Sequence, residues 1–142
     1  MKTYIFKTKM VLDKNISRDI EVAGNVSLYR LAGNILKAYG FYFDHAFGFY
    51  SNMDEMSYFD SEKMYELFTD VVGVEKTENA GSVEETKIVE VWQNIGDKMM
   101  FLFDYGDGWR FTVELAGFEK KEEGTKYPRV LKTVGKAPKQ YG

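Results

Sequence analysis

The 142-residue sequence predicts a single α+β domain spanning 1–142: a mixed β-sheet with a β-grasp-like hairpin–helix–strand start, helices packed on one face, a C-terminal antiparallel hairpin, and an irregular basic arm over 118–142. Three observations lead there. The apolar spacing follows the order strand, strand, helix, strand, helices, strand, strand. The length, with 44% hydrophobic and 16% aromatic residues, supplies one core. An Asp-Gly dipeptide between two β-prone runs marks a hairpin.

In chain order, "TYIFKTKMVL" alternates Tyr4, Phe6, Thr8 and Met10 against Ile5, Lys7, Lys9 and Val11, a strand with one wetter face. "DKN" turns the chain, and Ile16, Arg18, Ile20 and Val22 return at period two. Asn25 or Ser27 can cap a helix beginning near Leu28. Its apolar stripe is Leu28, Leu31, Ile35, Leu36 and Tyr39, and Gly40 is placed to end it. "FDHAFGFYS" reads as an aromatic strand. A second helix is expected from Asp60 or Ser61 to Gly73, with Met64, Leu67, Phe68, Val71 and Val72 on one face. "VEKTENAGS" reads as a loop. Ser82 and Glu85 form a capping-box pattern, and Val83, Lys87, Ile88, Val91 and Trp92 are spaced to put a short helix against the core. Two strands around Asp107-Gly108 close the domain.

Charged residues make up 29% of the chain, and no apolar run approaches the roughly 20 residues of a membrane helix. The N-terminus alternates polar with apolar residues and lacks the continuous stretch of a signal peptide, so a cytoplasmic protein that avoids membranes is expected. There is no cysteine, which removes disulfides, thiolate chemistry and zinc–sulfur sites. The net charge is -3 but uneven: residues 51–97 hold 3 basic and 12 acidic residues, whereas 98–142 hold 9 and 6. The basic tail suits phosphate or an acidic partner, or simply a solvated surface.

The chemistry-bearing stretch is "FLFDYGDGWRFTVEL", residues 101–115. Turn geometry explains Gly106, Asp107 and Gly108: an Asp-Gly turn needs positive φ at both central positions, and Gly106 allows a bulge. It explains Asp104 less well, since aspartate is poor in a strand interior. The stretch is therefore a structural turn or a functional loop mounted on one. His45 is the only histidine. It suits a packed structural role or an acid/base role, but no Gly-x-Ser-x-Gly elbow accompanies it. No phosphate loop, dinucleotide fingerprint, His-Glu-x-x-His helix or calcium loop is present, so no metal and no cofactor are expected.

"HAFGFY", "FLFDYGDGWRFTVEL" and "YPRVLKTVGKAPKQYG" together resemble the plasmid pRiA4b ORF-3-like family. That family is marked by a histidine in an early strand, a Tyr-Asp-Phe-Gly-Asp-x-Trp hairpin, and a Tyr-Pro segment followed by a Gly-x-x-Pro-Pro tail. The resemblance implies a mobile-element association and gives weight to His45, Asp104, Gly106, Asp107, Trp109, Glu114, Tyr127, Pro128, Gly135 and Pro138. This chain departs from the family by having Phe111 where many members have histidine, and "GKAPKQYG" where many have cysteines.

The expected activity is a non-enzymatic binding domain that engages protein or nucleic acid where the Asp-Gly hairpin, His45 and the basic arm converge. His45, Asp104, Asp107, Trp109, Arg110, Tyr127 and Arg129 form the candidate surface. Trp109 offers a stacking face, and Arg110 and Arg129 offer cationic donors. The alternative is a small enzyme using His45 with Asp104 or Asp107 as acid and base.

Overall fold

Period-two alternation over Lys2–Met10 produces β1, and Ser17–Ala23 returns beside it as β2, in the register Phe6↔Ile20 and Thr8↔Arg18. The computed structural model of the chain describes residues 1–54, 57–58, 60–67 and 80–141. Helix α1 (Leu28–Ala38) starts where the Ser27 side chain accepts the Arg30 amide, one of the unpaired donors of a helix start. It ends in a Schellman pattern around Gly40 (φ 76): the Gly40 amide bonds the Lys37 carbonyl and the Phe41 amide bonds the Leu36 carbonyl. Strand β3 (Phe47–Tyr50) follows, then β4 (Met64–Glu66), β5 (Gly81–Ser82), α2 (Ile88–Val91), β6 (Lys98–Phe103), β7 (Trp109–Lys120) and β8 (Arg129–Val134).

These strands form one open sheet in the order β5-β4-β3-β6-β7-β1-β2-β8, with β4 and β5 parallel and the other neighbours antiparallel. One face carries the core. Leu28, Leu31, Ala32, Ile35 and Leu36 of α1, with Ile88, Val91 and Trp92, pack on Phe6, Ile20, Val22, Phe49, Phe101, Phe111, Val113 and Leu115. Burying each large side chain contributes about 1.5–3 kcal/mol. The register stacks aromatics across strands: Phe49 lies on Phe101 at 4.8 Å and Phe101 on Phe111 at 5.6 Å. On the opposite face a smaller cluster joins Tyr50, Met64 and Leu102, with Tyr58 and Ala80 against it.

Several expectations change. The expected hairpin–helix–strand opening is present, and β7 lies beside β1, antiparallel to it. His45 sits in the loop before β3 and not in a strand. The helix expected between Asp60 or Ser61 and Gly73 is replaced over Met64–Glu66 by β4: the open edge of β3 offers backbone partners that place Tyr65 opposite Phe49 in the core. The rest of that helix, from Phe68 on, and the loop over 74–79 lie outside the described residues. Ser82 caps a turn by accepting the Glu84 and Glu85 amides, and the helix begins only at Ile88, where the Glu90 carboxylate accepts the Lys87 amide.

The arm expected to be irregular over 118–142 is largely structured. β7 continues to Lys120, and β8 adds to the edge of β2, because Glu21 is buried and needs the Arg129 guanidinium. Arg129 Nε donates to Glu21 Oε1 at 2.8 Å, and the Thr3 hydroxyl donates to the other oxygen. That bond also holds the Arg129 pKa above its ordinary value.

Two outcomes follow from this architecture. Gly108 has φ 71, and a Cβ there would come within 3.0 Å of Arg110 Nη1. Gly108→Val is expected to lower stability by roughly 1–3 kcal/mol in urea denaturation; an unchanged midpoint would place the left-handed turn residue elsewhere. Arg129→Ala leaves a buried carboxylate without its cation. It is expected to lower Tm and to speed hydrogen exchange across 129–134 ahead of β6 and β7; uniform exchange with an unshifted Tm would count against the ion pair as the anchor of β8.

Candidate functional site

The turn after β6 begins with Asp104, which adopts φ 62, a left-handed conformation that aspartate tolerates better than most residues. Its carboxylate makes that conformation worthwhile. Oδ1 accepts the amides of Gly106 and Asp107 at 3.1 and 3.3 Å, an Asx turn, while the Asp104 backbone donates to Ala46 and accepts from Gly108. The loop therefore has five residues, 104–108, between the paired Phe103 and Trp109. It is not the expected two-residue turn: among non-glycine residues the positive φ falls on Asp104 and not on Asp107, because the Asx turn supplies the reversal earlier.

With Oδ1 spent on the turn, Oδ2 faces His45. Asp104 is 8% exposed, and its Oδ2 lies 3.5 Å from His45 Nε2. The same nitrogen is 3.6 Å from Asp44 Oδ1 and 2.8 Å from the Tyr141 hydroxyl. Tyr141 donates its only hydrogen to Asp44 Oδ2. It can then only accept from His45, so Nε2 carries a hydrogen and Nδ1 is the nitrogen left to accept when the ring is neutral. The Asp44 bond, aided by the neighbouring carboxylates, pushes the Tyr141 pKa up to about 12.

Gln140 locks the tail down. Its side-chain oxygen accepts the Tyr42 amide at 2.7 Å, and its nitrogen donates to the Tyr42 carbonyl and to Asp44. Arg18 fixes the approach of both segments. Buried on the core face, it donates from Nε to the Ala38 carbonyl at the end of α1, and from Nη1 to the carbonyls of Ser17, Val134 and Gly135. Loop 39–46 and tail 135–141 thus leave from the same guanidinium and meet again at His45.

The structure brings His45, Asp104 and Asp107 to this end of the sheet and leaves the other expected residues elsewhere. Trp109 points to the core face, where it is partly buried with its ring edge-on to Phe41 at 4.9 Å. Arg110 points to the opposite face, over the Tyr58 ring at 5.9 Å, with Nη1 donating to the Gly108 carbonyl. Tyr127 accepts the Glu122 amide near the far end of β8 and lies under Arg129, which is committed to Glu21. Gln140, Tyr141 and Arg18 were not expected; Asp44 was a site candidate only as an acid directly before His45. Among the described residues, no group of three or more histidines or acids is arranged to hold a metal.

Next to Asp104, Tyr105 turns the other way. Its hydroxyl meets that of Tyr50 at 2.7 Å over Gly48, where a Cβ would stand 2.7 Å from one hydroxyl and 2.8 Å from the other. Tyr50 also donates to Glu66. Burial holds both phenols well above the ordinary tyrosine pKa.

The family model for plasmid pRiA4b ORF-3-like proteins matches residues 3–140. No curated protein matches the chain. Among solved structures, the chain is similar to the crystal structure of a protein of unknown function, MM3350 from Methanosarcina mazei Go1. That likeness has a TM-score of 0.73 at 20% identity and covers 96% of this chain and 71% of that one. It is a likeness of fold.

The Tyr141 contact has a pH signature. A folded-state pKa above the ordinary 10.0 means that folding favours the neutral phenol. Its contribution is fully present below pH 10 and is lost as pH rises toward about 12. In absorbance titration at 295 nm, Tyr141→Phe should remove one of the late-ionising phenols, and Asp44→Asn should move it back toward the ordinary value. Loss of an early-ionising phenol would show that Tyr141 is free in solution.

Proposed function

The chain belongs to the plasmid pRiA4b ORF-3-like family, and on that premise we propose that it is a cytoplasmic binding domain, not an enzyme, whose contact surface is the end of the sheet formed by the Asp-Gly turn, His45 and the C-terminal tail. The observation that carries this reading is Asp104: a left-handed, nearly buried aspartate that secures the turn with one oxygen and turns the other toward a half-exposed histidine. A turn alone needs only the first oxygen. Backbone outliers held by several partners concentrate at functional sites.

The electrostatics favour a protein partner over nucleic acid. Asp44 and Asp104 flank a single histidine and Asp107 acts on the neighbouring Tyr141, a set that suits a lysine, arginine or amine and repels phosphate. Of the two arginines expected to meet phosphate, Arg129 is paired with Glu21, and Arg110 lies on the opposite face over the Tyr58 ring. The acid/base alternative rests on the 3.5 Å approach of His45 to Asp104. Against it, the approached nitrogen also bonds Tyr141, so any proton transfer to substrate would fall to Nδ1.

Asp104→Asn tests the reading cleanly, because asparagine keeps an oxygen for the turn amides and tolerates the left-handed backbone. Asp104→Asn and His45→Gln are each expected to melt within about 2–4 °C of the parent. Both should lose the proteins that the parent retains by cross-linking in nuclease-treated lysate. Retention of the same proteins by both variants, or capture that nuclease abolishes, would overturn it.

A further inference from the structure

The face of the sheet opposite the helices carries a groove of about 380 Å³ lined by Lys7, Lys9, Lys14 and Lys98, with Glu114, Thr112, Met53 and Met100 among its other walls. The strand register sorts these charges. One row across the sheet reads Lys98, Glu114, Lys7, Asp19, Lys132, alternating in sign, and Lys98 lies 3.7 Å from Glu114. That row is self-compensated and needs no ligand. The next row toward the Asp-Gly turn reads Met100, Thr112, Lys9, Ser17 and holds no acid. Lys14, from the β1–β2 turn, joins Lys9 over it. Neither Lys9 nor Lys14 has a carboxylate within ion-pair distance among the described residues. In a chain of net charge -3, two uncompensated ammonium groups gathered over one hollow define a local positive field.

We propose that this groove binds a small organic phosphate, with the phosphoryl group between Lys9 and Lys14 and the body of the ligand against Met53. Each element matches that chemistry. Ammonium groups bind phosphate as point charges, and the Thr112 hydroxyl adds a donor. Thioether side chains adapt to flat or irregular apolar surfaces. The volume is that of a small-molecule cleft and not of an extended interface. The site is separate from the surface formed by His45 and Asp104: the cationic row lies on the face away from the core, whereas that surface lies at the end of the strands.

Adenosine diphosphate and inorganic pyrophosphate serve as probes, followed by backbone amide chemical shifts. Adenosine diphosphate is expected to bind saturably, moving amides of Lys9, Met100 and Thr112, and to bind more tightly than pyrophosphate, which lacks a body to rest against Met53. Lys9→Gln with Lys14→Gln should weaken it about tenfold, while Lys136→Gln with Lys139→Gln, removing equal charge from the tail, should change it by about twofold or less. Three results would each overturn the proposal: no saturable shift with adenosine diphosphate, equal weakening by the two charge-matched pairs, or tighter binding of an oligothymidylate strand to this face.

Discussion

Arg18 is the interaction on which the site-forming end of the molecule depends. A guanidinium on the core face of a sheet is costly to bury, and no carboxylate among the described residues pairs with it; backbone carbonyls from three elements and the Tyr39 ring at 4.9 Å compensate it instead. One of those carbonyls, from Ala38, belongs to the last turn of α1, where carbonyls lack helical partners and the dipole favours a cation. Another two end β8. The residue thus satisfies a helix terminus, an edge strand and itself in one place, and the two chain segments that leave it converge on His45.

What those segments enclose is a hydrogen-bond network with few spare atoms. Asp104 divides its oxygens between the turn and His45, Tyr141 divides its hydroxyl between His45 and Asp44, and Gln140 uses both ends of its amide on loop 39–46. Such networks hold geometry well because losing any one member strands another. They also concentrate negative charge at this end of the sheet. Lys9 and Lys14 put positive charge on the face opposite the helices. A protein of modest net charge therefore presents two surfaces of opposite sign.

Much of this was legible in the residues where local rules act alone. Leu28 to Leu36 follow helical spacing, Ser27 is a strong cap and Gly40 a left-handed stop, so α1 falls where its sequence places it. The paired strands before and after residues 104–108 were readable from Phe101, Phe103, Trp109, Phe111 and Val113 for the same reason. Legibility failed where a distant partner decides. Met64 and Tyr65 sit at spacings that suit a helix, yet the open edge of β3 takes them as strand. Arg129 looked like a free cation because Glu21, 108 residues away in sequence, gave no local sign of burial. Asp104 stood out because aspartate is poor in a strand interior, and His45 because it is the sole histidine. Their companions Gln140 and Tyr141 reach them only through the fold.

The most direct measurement is residue-resolved hydrogen exchange with amide chemical shifts on Arg18→Met, which keeps the apolar stem and removes the guanidinium. If Arg18 organises the site, protection in β1, β6 and β7 persists, while the amides of Tyr42, Asp44, His45 and Tyr141 shift and loop 39–46 and tail 135–141 lose protection together. If the amides of His45 and Tyr141 keep their shifts and the perturbation stays at residues 17–19, the site is built without Arg18 and the account is wrong.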